Sequence, residues 1–275
     1  MIPLLILIGL GGLAYATLIE PFWIEVTRHR VKAPVSCPLK IAHLTDIQTV
    51  SFGRRERAFL ALLEAEKPDA IVVTGDTKDK RGTYAMCREV LRRLRAPLGV
   101  WLVRGNWENW APLAAEEEEP FYRSAGVNLL LNANHRLTET VWLVGLNDAT
   151  SGTPDLDAAL AGVPPDAFKI LLQHSPFYFD QLSATERGGS ASGGDGQTDP
   201  ARRVDLILAG HTHGGQIRFP FLGAIWFPPG CGRFSDGWFG KDGSRMYVSR
   251  GIGTSLATIR FLCRPELAII TLEPC

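Results

Sequence analysis

Two histidines stand one residue apart in "LAGHTHGGQIRFP" (208–220), directly after an apolar run and before a glycine pair. Four other apolar runs also end on metal-ligating residue types. "KIAHLT" (40–45) leads into Asp46 and Gln48, and "AIVVT" (70–74) into Asp76 and Asp79. "GVWLV" (99–103) leads into Asn106, and "KILLQ" (169–173) into His174. In α/β sheets, ligands gather at the carboxyl ends of parallel strands. Five segments therefore deliver Asp46, Gln48, Asp76, Asn106, His174, His211 and His213 to one edge. Carboxylate, amide and imidazole donors together suit Mn²⁺, Fe or Zn²⁺ better than thiolate-preferring ions. Seven donors exceed the needs of one tetrahedral ion. They suffice for two ions sharing one carboxylate, about 3.5–4 Å apart, the arrangement that clamps a phosphoryl group. Singly, each donor has an ordinary structural reading: Asp46 and Asp76 as turn or cap residues, Asn106 as a turn residue, His174 as a core histidine. The ordered set carries the argument. Gly75, Gly105 and Gly210, each just ahead of a donor, admit sharp turns and close backbone approach.

The elements that must position these residues read as α/β. Further strands are expected at 127–131, 141–146, 205–210, 246–249 and 267–272, dense in Val, Ile and Leu without clear alternation, as in strands buried on both faces. Segments 54–67 and 84–96 carry apolar residues at helical spacing. The pattern is a sheet with helices on its faces, and the quicker succession of later strands predicts a more antiparallel second half. "EEEE" (116–119) reads as a solvated helix face. Residues 183–202, rich in Gly and Ser, read as a mobile loop.

The chain of 275 residues is large enough for one α/β domain, and its zero formal net charge gives no electrostatic reason to expect nucleic acid as a partner. Five scattered cysteines form no CxxC pair, which argues against a zinc knuckle or a dense disulfide framework. Ile2 to Ile19 carries no charge, at the lower edge of what spans a bilayer. Residues 1–27 are expected to form a membrane anchor, 28–38 a linker and 39–275 the catalytic domain. Nothing basic precedes the apolar run, and Arg28, Arg30 and Lys32 follow it, so the domain is expected on the cytoplasmic side. A buried helix or a cleaved signal are the alternatives.

"TDIQ", "GDTKD", "GNWE", "QHSP" and "GHTHGG" resemble, in order, the five blocks of the calcineurin-like metallophosphoesterases, over roughly residues 38 to 275. "YVSRGIGTS" and "RPELAIITL" are similar to the membrane-associated branch that includes YkuE-like phosphoesterases and UDP-2,3-diacylglucosamine pyrophosphatases of the LpxG type. The resemblance implies a four-layer α/β/β/α sandwich and two divalent ions, Mn²⁺ first among them. Asp46, Gln48, Asp76 and His213 would hold one ion, and Asp76, Asn106, His174 and His211 the other. Asp76, Asn106 and His211 would be the catalytic set, with His211 stabilising charge on the phosphoryl oxygens. The implied substrate is a phosphorylated small molecule or lipid, UDP-2,3-diacylglucosamine being the most concrete.

Two departures matter. Gln48 stands where the family has a histidine, and an amide oxygen is the weaker ligand. Trp107 stands where the family has its proton-donating histidine, and an indole cannot serve as acid or base. A good leaving group needs acid help least, which favours a pyrophosphate or activated phosphodiester over an alkyl monoester. Glu108 is a possible substitute acid or a capping residue. Arg218, Arg250 and Arg260 are candidate phosphate grips. "FPFLGAIWFPPG" (219–230) reads as a core hairpin of the second sheet, or else as a surface for lipid. His43 reads as structural. The competing functional class is a degenerate metal-binding module that recognises a phosphorylated ligand without turnover.

Overall fold

The structure, a computed structural model, describes residues 2–182, 200–241 and 243–275. The expected loop at 183–202 lies outside the described residues up to 199; Pro200–Arg202 form a 3₁₀ turn.

Two six-stranded sheets form the centre. The first runs, in spatial order, β1 (Glu25–Ala33), β14 (Glu266–Pro274), β2 (Leu39–Leu44), β3 (Ala70–Thr74), β4 (Val100–Val103) and β5 (Asn128–Leu129). The second runs β12 (Gly237–Lys241), β13 (Ser244–Val248), β9 (Leu206–Ala209), β8 (Phe168–Leu172), β7 (Val141–Gly145) and β6 (Ala133–Arg136). β2 to β5 are mutually parallel, and β14 joins them antiparallel to β2. The second sheet is parallel through β13, β9, β8 and β7, with antiparallel strands only at its two edges. The second half is thus the more antiparallel one, as expected, but only at the edges of its sheet, whose centre is parallel.

Side chains alternate across each strand, and the alternation fills three cores. Ile41 and Val72 of the first sheet meet Leu143, Ile170 and Leu208 of the second in the middle. Leu44, Ile71 and Val73 face outward onto α2 (Arg54–Glu66), α3 (Tyr84–Leu91) and α5 (Ala115–Ser124), through Phe59, Leu63, Val90, Leu91 and Tyr122. Val144, Leu171 and Ile207 face α6 (Leu156–Leu160) and α7 (Tyr178–Gln181). The result is a four-layer α/β/β/α sandwich, as expected. Within "EEEE", Glu118 is buried and pairs with Arg104, while its neighbours are exposed.

Two expectations fail here. Residues 25–33 are not the end of an anchor and a linker but edge strand β1, paired in parallel along its length with β14. Its inner residues Val31 and Ala33 are buried, and its outer Arg28, Arg30 and Lys32 blunt the sheet edge. Residues 219–230 are no core hairpin: β10 (Arg218–Phe219) and β11 (Gly223–Ala224) pair only with each other, outside both sheets. The N-terminal apolar segment forms α1 (Ile2–Ala14), a π-helical turn (Tyr15–Ile19) and a 3₁₀ turn (Glu20–Phe22). No helix among the described residues is long and apolar enough to cross a membrane.

Candidate metal centre

All seven expected donors emerge within a few residues of strand ends. Asp46 and Gln48 follow β2, Asp76 follows β3, and Asn106 follows β4 and opens α4 (Asn106–Trp110). His174 follows β8, and His211 and His213 follow β9. All seven are buried, so the two sheets turn their donor loops toward each other and away from water. Five of them, Asp46, Gln48, Asp76, His211 and His213, have φ between 49° and 70°, a left-handed conformation that side-chain-bearing residues seldom adopt. Such strain persists where the surroundings over-determine it, as at ligand sites.

The close approach of these loops depends on glycine. A Cβ on Gly105 would lie 2.3 Å from Asp76 Oδ1, and one on Gly75 would lie 2.4 Å from the Gly105 nitrogen. A Cβ on Gly210 would sit 1.9 Å from Thr45 Oγ1. The glycines thus admit neighbouring loops to one another.

Asp76, His174 and His211 converge on one point, their ligand atoms within 4.8 Å of one another. His174 Nδ1 faces the Thr74 carbonyl at 2.7 Å, and His211 Nε2 faces the Pro229 carbonyl at 2.7 Å. A carbonyl only accepts, so each of those nitrogens carries the proton in a neutral ring. The remaining nitrogens, His174 Nε2 and His211 Nδ1, then point lone pairs at each other across 3.1 Å. Asn106 Oδ1 is 3.0 Å and Asp76 Oδ2 3.5 Å from the same His174 nitrogen. These lone pairs and the carboxylate facing one another are met either by a proton on His174 or by a cation bound between them. Beside them, His213 Nε2 is 3.3 Å from Asp46 Oδ1. Gln48 Nε2 donates to Asp76 Oδ2 at 2.9 Å. Asp46 Oδ1, Gln48 Oε1 and His213 Nδ1 are buried without hydrogen-bond partners. A buried polar atom left unpaired is costly unless something absent satisfies it. Hard and borderline donors with orphaned atoms fit a divalent ion.

Electrostatics agree. Burial raises the Asp76 carboxyl well above its ordinary range, and burial lowers His213 to about 4. Burial opposes charge on His174 too, but the adjacent Asp76 carboxylate lifts its pKa well above the ordinary value. Burial lowers His211, and the neighbouring His174 lowers it further. A bound cation would relieve these conflicts.

Around the donors the structure adds residues the strand-end argument missed. Glu108 is a clamp: Oε2 accepts from the backbone nitrogens of Asp76 and Gly105 at 2.8 and 2.9 Å, and Oε1 accepts from Thr77 N and Oγ1 at 2.7 Å each. Both its oxygens are used, so it is no free acid. Asp148 follows β7 and is buried, accepting from Ser175 Oγ, Thr150 and Ser151. It too stands at a strand end, so its position was a readable signal. The expected phosphate grips are corrected. Arg218 pairs with Asp236, and Arg250 with Glu25 and Glu266. Arg260 is buried and donates to the carbonyls of His213, Arg250, Gly251, Gly253 and Cys263, tying the loop beneath the His-x-His turn. His43 is structural, its Nε2 hydrogen-bonded to Thr74 Oγ1 at 2.8 Å.

A cavity of about 300 Å³ opens over the donors. Asp76, Asn106, His211 and His213 form its polar floor. Trp107, Trp110, Trp226, Pro228, Pro229 and Leu256 form apolar walls, with Thr150 and Ser255; among the described residues no Lys or Arg lines it. Trp107 and Trp110 meet edge to face at 5.3 Å.

A profile described as calcineurin-like phosphoesterase matches residues 39–215. The uncharacterized metallophosphoesterase YkuE of Bacillus subtilis is 31% identical over 96% of this chain and 90% of its own. An uncharacterized metallophosphoesterase of Aquifex aeolicus is 27% identical over 94% of this chain and 95% of its own. Phosphodiesterase YaeI of Escherichia coli is 27% identical over 95% of this chain and 93% of its own.

Proposed function

The chain belongs to the calcineurin-like phosphoesterase family, and from that premise we propose that it hydrolyses a phosphodiester or pyrophosphate bond. The observation that carries this reading is the meeting of His174 Nε2 and His211 Nδ1 at 3.1 Å beside Asp76, an arrangement that can hold a divalent cation. Asp46, Gln48, Asp76 and His213 would hold one divalent ion, and Asp76, Asn106, His174 and His211 the other, with Mn²⁺ the first candidate. When bound, such ions supply Lewis acidity toward phosphoryl oxygens and acidify an attacking water. The chain's own groups orient the donors. The Thr74 and Pro229 carbonyls fix the tautomers of His174 and His211. Glu108 holds the Asp76 and Asn106 loops in register.

The pocket walls support the choice of bond. A phosphomonoester brings two negative charges and a diester one, and among the described residues no Lys or Arg lines the cavity to meet the extra charge. Trp107 donates no proton to a leaving group, so the leaving group must depart unaided. The apolar walls suit an apolar substituent on the phosphate. The name phosphodiesterase carried by the Escherichia coli relative supports the same class. We extend the proposal to a lipid-linked substrate, with UDP-2,3-diacylglucosamine the most concrete candidate. In this reading the apolar N-terminus attaches the chain to a membrane with the domain on its cytoplasmic side.

The second reading, a metal-binding module without turnover, draws on two substitutions: Gln48 spends its amide on Asp76, and Trp107 cannot transfer a proton. One experiment separates them. Metal bound to the purified full chain is counted, and hydrolysis with Mn²⁺ is measured on bis-p-nitrophenyl phosphate, p-nitrophenyl phosphate and a UDP-sugar lipid, beside Asp76→Asn. Metal-dependent turnover that prefers diesters and is lost in Asp76→Asn supports the enzyme. Stoichiometric metal without turnover supports the module. A folded protein that takes up no metal refutes both.

A further inference from the structure

We propose that the β10–β11 hairpin is a second membrane contact, which docks on a phospholipid surface beside the N-terminal helix and turns the mouth of the metal pocket toward the lipid. The inference rests on the reading that the N-terminal segment enters a membrane.

The hairpin is apolar and uncovered. Residues 219–230 carry no charge. At its tip Phe221 is fully exposed and Leu222 is 78% exposed; on the returning strand side Ile225 is 69% exposed. Phe221 also has φ 66°, a conformation that a bulky residue rarely adopts and that here directs its ring away from the protein. A strained aromatic held fully in water is a liability unless something apolar covers it. Clustered exposed apolar residues of this kind mark contact surfaces.

The hairpin lies on the side of the molecule where the N-terminal helix leaves it. The Phe261 ring sits 6.3 Å from the Phe219 ring and 6.3 Å from the Tyr15 ring, so one side chain bridges the two elements. The backbone fixes this spacing. Arg218 N donates to the Phe261 carbonyl at 2.8 Å, and Arg260 N donates to the Ala16 carbonyl at 2.9 Å. The buried Glu20 carboxylate accepts from the backbone nitrogens of Leu262 and Cys263. Helix base and hairpin are therefore both tied to the segment 260–263.

The character of the helix selects lipid over a protein partner. Leu4, Ile6, Leu7, Ile8, Leu10 and Leu13 of α1 are all exposed and at 100° per residue spread over about 220° of its circumference, and no residue of Ile2–Ala14 is polar. A protein groove covers one side of a helix, and a helix apolar all round needs an apolar medium all round. The base of the helix carries head-group chemistry. Arg54 lies over the Phe22 ring at 5.1 Å, and Arg264 lies over the Trp23 ring at 4.2 Å, a cationic and aromatic girdle suited to anionic phospholipid at the interface.

The consequence concerns the pocket. Trp226 and Leu256 are half or more exposed, and both line the mouth of the metal-site cavity. Once the hairpin rests on lipid, a phosphoester in the bilayer reaches the donors without leaving the membrane surface.

The test uses the full chain reconstituted in vesicles of phosphatidylcholine and phosphatidylglycerol. Cys37 and Cys275, the exposed cysteines, are changed to Ser. An environment-sensitive fluorophore is then attached to Leu222→Cys in the hairpin, to Leu10→Cys in the helix, or to Glu139→Cys. Glu139 is exposed in the turn between β6 and β7, before the first residue of β7 and so at the opposite end of that sheet from the metal site. Doxyl groups on the acyl chains quench a label only when it enters the lipid. Several-fold quenching at positions 10 and 222, with none at 139, is the expected result. Quenching at 10 but not at 222 overturns the hairpin contact and leaves the anchor reading standing. Quenching at neither position overturns both.

Discussion

Replacing Glu108 by Gln tests whether that side chain is a clamp or an acid. The two are nearly isosteric, so the change isolates charge and acceptor capacity. The wild-type carboxylate accepts four hydrogen bonds, two on each oxygen. Glutamine keeps one oxygen and turns two N–H donors toward the other pair. The least costly rotamer puts the NH₂ at Thr77, whose hydroxyl can rotate to accept while the Thr77 backbone N–H is left unpaired. One buried orphan donor costs about 1–3 kcal/mol, and the two retained bonds lose their charge assistance. The expected destabilisation is therefore about 3 kcal/mol, read from urea unfolding in EDTA. The loops carrying Asp76 and Asn106 should loosen together, and misplacement by about 1 Å can cost about 10²-fold in rate. With two diesters whose leaving groups differ in acidity, a clamp predicts equal rate losses. An acid predicts a loss that grows as the leaving group worsens, with stability unchanged. A destabilisation below about 0.5 kcal/mol joined to a leaving-group-dependent rate would refute the clamp.

Trp107→His restores a proton donor at the pocket wall, so hydrolysis of p-nitrophenyl phosphate and poorer monoesters should rise by as much as about 10²–10⁴-fold; an unchanged monoester-to-diester ratio would count against the leaving-group argument. Gly105→Ala would drive a Cβ to 2.3 Å from Asp76 Oδ1, so bound metal measured by mass spectrometry should fall and stability should drop by about 1–3 kcal/mol. Burial lowers His43 from 6.5 to about 4. The unfolded chain therefore binds the extra proton first as pH falls, and stability present above pH 6.5 is lost progressively toward pH 4, by up to about 3 kcal/mol. His43→Gln should flatten that part of the stability-against-pH curve, measured without metal, and an unaltered slope would show that His43 does not titrate there.

The sequence alone marked the candidate donors. A metal-ligating residue must be of one of a few types and must stand where a strand stops, so Asp46, Asp76, Asn106, His174, His211 and His213 were legible from local pattern. The buried parallel strands were legible too, because burial on both faces leaves continuous apolar runs such as 70–74 and 169–173. Edge strand β1 was not: its inward Val31 and Ala33 alternate with outward charges, and its partner β14 lies at the other end of the chain. Local pattern carries no record of such pairing. Tertiary structure also decided the fate of the polar side chains. Nothing near Arg250 in the sequence announces Glu25, and nothing near Arg260 announces five carbonyls; both arginines are consumed inside the fold rather than offered to phosphate. The tautomers of His174 and His211 depend on carbonyls supplied by distant segments. The left-handed backbone at five donors exists only because converging loops enforce it. Residue type is fixed by the chemistry a site needs. Lone-pair direction, charge pairing and exposure depend on contacts between segments far apart in the chain, and those exist only once the two sheets have closed on each other.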